Sequence, residues 1–131
     1  MGLLERIRTI FGGTALVDYP AHVRDVSAGR LDTYTVKLDP DTDESRVVLT
    51  IDAPSLRALS PLDAPVRLWS PSSEDVTFVP VRRAANPALD PNLGWIIPVT
   101  PDAVAELSAL TGVPGEYDLA SLHLSLIVSG S

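Results

Sequence analysis

The residues with the widest chemical range in this chain are two histidines, an acidic run and a pair of arginines. They are His22 and His123, then Asp39, Asp41, Asp43 and Glu44, then Arg82 and Arg83. Neither histidine has a second ligand at close helical or strand spacing, and the chain has no cysteine, so a zinc site would need distant residues. The acidic run suggests oxygen ligands for a hard cation. A calcium-binding loop, however, needs Gly at its sixth position and Glu at its twelfth. Counted from Asp39 those positions hold Glu44 and Thr50, and Pro40 makes the run a solvated turn between strands. No G-x-S-x-G elbow is present, and Gly12-Gly13 lacks both the spacing and the lysine of a phosphate loop. Arg82 and Arg83 suit bidentate contact with a phosphate or carboxylate, or pairing with nearby acids at the surface. The expectation is a non-enzymatic protein with no catalytic residue, cofactor or metal.

Composition narrows the classes further. At 131 residues the chain has the commonest single-domain size, with 45% apolar and 21% charged residues. Its 12 prolines favour short elements over long helices. A formal net charge of −7 repels phosphate backbones, which disfavours nucleic acid as a partner. Without cysteine, disulfides and thiolate chemistry are excluded. No apolar run approaches the roughly 18 residues that cross a bilayer. Glu5, Arg6 and Arg8 interrupt any signal-peptide core, so the expected location is the cytoplasm or a macromolecular assembly.

The elements that would position these groups are mostly strands. Residues 1–13 read as a short amphipathic helix closed by a glycine joint, and residues 14–131 as one β-rich domain. In the helix, Leu3, Leu4, Ile7, Ile10 and Phe11 share one face, with charged residues opposite. That apolar face is the expected partner-binding surface. It could cover the domain's own sheet, dock on another protein or copies of itself, or, less favoured, rest on a membrane. A first extended region falls in 14–27. Residues 31–38 and 45–52 alternate around the acidic turn and make the best hairpin. Residues 55–60, between two prolines, hold at most one or two helical turns. Residues 65–70 and 75–83 give two more strands, with Pro80 arguing for an edge or a bulge. Residues 85–94 read as an irregular loop and 94–99 as a buried strand. Thr100, Pro101, Asp102 and Gly112 punctuate a helix with Ala103, Val104, Leu107 and Leu110 on its apolar face. Residues 119–128 alternate as a closing strand, with His123 opposite the leucines. The fold class is mainly β (α+β): a small barrel or sandwich of six to seven strands, with an N-terminal helix and one near the C-terminus.

Two stretches carry a family resemblance. VRDVSAG (23–29) and GWIIPVTPDAVAELSAL (94–110) resemble the D-x-S-x-x-G strand and the final strand and helix of PilZ-like β-barrels. Here Gly29 comes one residue early, and no R-x-x-x-R exists to grip a cyclic dinucleotide. The resemblance implies a barrel in which Asp25 and Ser27 alone carry over. The leading expectation is a structural or interaction protein that binds a partner or self-assembles through its N-terminal helix and an exposed strand edge, such as a virion or secretion-type component. The alternatives are a degenerate PilZ-like regulatory module and a small enzyme with a spatially assembled site.

Overall fold

Two sheets pack face to face and do not close into a barrel in the computed structural model, which describes residues 9–10, 19–37, 40–41 and 45–130. The strands are β1 (Thr9–Ile10), β2 (Arg24–Ser27), β3 (Leu31–Lys37), β4 (Ser45–Asp52), β5 (Val66–Ser70), β6 (Ser73–Pro80), β7 (Ala88–Asp90), β8 (Gly94–Val99), β9 (Gly115–Leu119) and β10 (Leu124–Ser129). Helix α1 (Ala53–Ala58) follows β4, and α2 (Pro101–Ser108) follows β8. The larger sheet has the order β1-β7-β8-β6-β5-β2, and the smaller one β3-β4-β10-β9. Among the described residues there are ten strands against the six or seven expected, because the short β1 and β7 and the largely exposed β9 lack a readable alternation.

Period-two patterning fills the space between the sheets. From the smaller sheet come Val47, Leu49 and Ile51 of β4 and Leu124, Leu126 and Val128 of β10, all buried. From the larger come Leu68, Val76, Phe78, Trp95, Ile97 and Val99. The β3–β4 hairpin forms as expected, with Leu31 opposite Ile51 and Lys37 opposite Ser45. Strands β5 and β6 form a second antiparallel pair with an irregularity between Leu68 and Ser70.

Pro80 is not at a sheet edge. β6 is an interior strand between β8 and β5, and Pro80 is its last residue. The β5 register ends at Phe78, so β5 asks no hydrogen bond of the missing Pro80 N–H. The loop expected over 85–94 contains β7, joined to β8 by a tight turn. There the buried Asp90 carboxylate accepts from the backbone N–H of Asn92 at 2.8 Å and of Leu93 at 3.1 Å. Gly94 completes the turn at φ +80, where an added Cβ would meet the Asp75 carbonyl oxygen at 2.3 Å.

The helices follow their punctuation. The Thr100 side chain caps α2 by accepting from Ala103 N–H at 3.3 Å, Pro101 takes the first turn, and Ala103 and Leu107 are buried. The helix stops at Ser108, ahead of the Gly112 signal. The closing segment is two strands, not one. β9 and β10 pair antiparallel around a 3-10 turn at Ala120–Leu122, and His123 takes a left-handed conformation, φ 53, before β10 begins.

The N-terminal helix is not present where the structure describes it: Thr9–Ile10 are extended and pair with Leu89 and Ala88 at the edge of the larger sheet. Leu3, Leu4, Ile7 and Phe11 lie outside the described residues. A strand at these two residues fits the sheet's need for a partner along β7.

The last strand is the most consequential. β10 lies between β4, to which it is parallel, and β9, to which it is antiparallel. Leu126 points into the core at 1% exposure, and Ser125 faces the other way. Leu126→Ala is expected to cost about 2–5 kcal/mol, whereas Ser125→Ala stays within about 0.5 kcal/mol. Urea denaturation of both variants at matched m-values checks this.

Candidate functional site

Chemistry-bearing side chains gather around β2, the edge strand of the larger sheet. Val26 pairs in register with Leu68 and shares its inner face, so Asp25 and Ser27 point outward. Along β5, Val66 and Leu68 enter the core, which turns Arg67 and Trp69 to the same outer face. The parallel register sets Asp25 beside Arg67 and Ser27 beside Trp69, and the antiparallel register sets Arg67 beside Thr77.

The result is a polar cluster around one guanidinium. Arg67 Nε donates to Asp25 Oδ1 at 2.6 Å and lies 4.0 Å from Asp75 Oδ2. The Asp25 hydrogen bond, opposed by partial burial and helped by Tyr19, raises the Arg67 pKa above its ordinary value. Arg67 is thus charged at every working pH. The Tyr19 and Thr77 hydroxyls share a hydrogen bond of 3.1 Å. Trp69 stands 39% exposed beside this group, while the other tryptophan, Trp95, is buried. Asp25, Arg67, Trp69 and Asp75 line an open cleft of about 490 Å³.

A second cleft lies on the opposite side of β2. Arg24 donates through Nη2 to the Ala58 carbonyl oxygen at 2.9 Å, satisfying the C-terminal end of α1. With Arg57, Pro61 and Asp63 it borders a space of about 380 Å³. Arg24 is occupied in holding a helix end, so this cleft reads as a joint between β2 and α1.

The residues singled out from sequence are not drawn together. His22 is exposed in the segment leading into β2, and His123 is exposed before β10 in the other sheet. Arg82 and Arg83 are exposed after β6 and line neither cleft. Asp41 is exposed in the β3–β4 turn, while Asp39, Asp43 and Glu44 lie outside the described residues. Among the described residues no group of three or more His, Asp or Glu is placed to hold a metal ion. Of the resemblance positions, Asp25 enters the cluster through Arg67, and Ser27 lies exposed beside Trp69 in the register. Arg67 and Trp69 carried a readable signal: a tryptophan two residues from an arginine, out of phase with Val66 and Leu68, must lie on the polar face of its strand.

No protein-family model matches the sequence, and none of the curated proteins is significantly similar to it.

The Arg67–Asp25 pair is a partly exposed surface pair, with side chains 30% and 50% accessible, so it positions groups more than it stabilises the fold. Asp25→Asn is expected to lower stability by less than about 1 kcal/mol in chemical denaturation. A larger loss would mean that β2 depends on this pair to remain attached to β5.

Proposed function

We propose that this protein is a non-enzymatic interaction or assembly domain that engages a partner protein, or copies of itself, along an exposed strand edge. The observation that carries this reading is the pair of edges that β2 and β3 present. Among the described residues, β2 ends the larger sheet and β3 ends the smaller one. Only Ala28, Gly29 and Arg30 separate them in the chain, so the two edges bound one side of the sandwich. β3 is seven residues long, and near its end Tyr34 is 53% and Val36 37% exposed. An edge strand with outward apolar side chains is a template for an added strand: its unpaired N–H and C=O groups supply affinity, and its side chains supply selectivity. The pairing of Thr9–Ile10 with β7 is the same device used within the chain at the opposite edge.

The N-terminal segment remains part of this proposal, with Leu3, Leu4, Ile7, Ile10 and Phe11 as its apolar contributors. The intact chain is expected to be oligomeric, or to retain a partner on purification from its host, by native mass spectrometry. Removing residues 1–12 is expected to abolish that association while leaving a cooperative thermal transition. Tyr34→Lys with Val36→Lys should do the same by charging the β3 edge. A monodisperse monomer with no co-purifying protein overturns the reading.

A further inference from the structure

We infer that the outer face of the larger sheet carries a binding site for a neutral, hydroxyl-rich ligand, a saccharide, with Trp69 as its platform and Asp25, Arg67 and Asp75 as its polar contacts. This does not rest on the edge-pairing reading, because the cluster lies on a sheet face and not along β3.

The choice of ligand follows from the charges. An anion would be drawn by Arg67 but repelled by the two carboxylates around it, Asp25 at 2.6 Å and Asp75 at 4.0 Å from the same nitrogen. The chain's net charge of −7 adds to that repulsion. A cation would find the carboxylates and the Trp69 ring, but the guanidinium sits between them and the Asp25–Arg67 bond would have to be broken or shared. A hydroxyl group avoids both penalties. It accepts from a guanidinium and donates to a carboxylate at once, so it joins the pair without separating it.

Trp69 supplies the other half of the recognition. A large aromatic ring on a solvated sheet face has no role in the core: Val66 and Leu68 take the inner positions on the same strand. Its exposed, rigid surface loses little conformational entropy on binding and suits the apolar C–H face of a pyranose ring. The cluster is also held in advance. Asp25 and Arg67 are register partners on paired strands, and Thr77, beside Arg67 in the antiparallel register, is bonded to Tyr19. The cleft of about 490 Å³ falls within the usual range of roughly 300–1,000 Å³ for ligand sites. Its open form suits one or two units of a longer chain, with the rest in solvent.

Tryptophan fluorescence tests this directly, because Trp69 is the exposed one of the two tryptophans and Trp95 is buried. The full chain is titrated with cellohexaose, xylohexaose, mannohexaose, maltohexaose and laminarihexaose, each to about 10 mM, a range that captures weak sites. At least one is expected to blue-shift and saturate the emission. Its affinity should change less than about twofold between roughly 0.05 and 0.5 M salt, since the ligand is neutral. Trp69→Ala is expected to abolish the spectral response and, by calorimetry, to weaken binding at least about tenfold. Asp75→Asn, which keeps the side-chain shape, should weaken it several-fold, and Val113→Ser, exposed ahead of β9 of the smaller sheet, should leave it unchanged. No response to any of the five sugars overturns the proposal. So does binding that survives Trp69→Ala in a variant with wild-type melting behaviour, and so does saturable binding of polylysine at this site that collapses with salt.

Discussion

One layer of apolar side chains between the two sheets holds this protein together, and β10 completes it. β10 brings Leu124, Leu126 and Val128 into that layer and also joins β4 to β9 within the smaller sheet. Neither partner is sufficient alone. Without β10, β4 would keep only the β3 hairpin, and β9 would have no neighbour among the described strands. A central strand that pairs with β4 from far along the chain makes half of the smaller sheet non-local. Its parallel ladder with β4 joins residues that are far apart in sequence, and loop closure of that length must precede any gain from burial.

The same layer determines what the outer surfaces are free to do. Because each strand alternates, every residue committed to the core turns its neighbour outward. On β5 the commitment of Val66 and Leu68 places Arg67 and Trp69 outside, and on β2 that of Val26 places Asp25 beside them. The candidate ligand site is therefore a consequence of core packing, held at fixed spacing by two ladders and not by loops. Elsewhere on that outer face Thr77, Val79 and Ile96 are buried, and Tyr19 lies across Thr77. Among the described residues, the polar cluster sits on that face at the end of the sheet nearest its β2 edge.

How far this could be read beforehand depended on whether contacts were local. The β3–β4 hairpin and α2 were legible because alternation, caps and prolines act over a few residues. Parallel pairings were not: nothing in Arg24–Ser27 says that it adds to Val66–Ser70, and nothing in Leu124–Ser129 says that it enters beside β4. β9 has no apolar period to read, because Gly115–Leu119 buries only Leu119 fully. The N-terminal segment carried a helical spacing, yet Thr9–Ile10 pair as strand, since an open sheet edge offers backbone partners that a short helix must find in itself. In the candidate site only the Arg67 and Trp69 phase was legible. Asp25 and Asp75 join them through registers that no local pattern encodes.

The distribution of arginine connects these points. In an acidic chain nearly all of whose basic residues are arginine, Arg30, Arg46 and Arg67 each pair with an aspartate, and Arg24 holds the end of α1. Arg46 reaches Asp118 of β9 past the start of β10, and Arg24 ties β2 to the helix that follows β4. These guanidiniums span places where neighbouring strands do not supply a ladder hydrogen bond, a task suited to a long side chain with a fixed fork of donors. Arg67 differs from the others in its company. Among the described arginines it alone stands between two carboxylates and beside an exposed tryptophan. That difference is what the proposed ligand site on the outer face of β5 rests on, while Arg24 and Arg46 join separate elements.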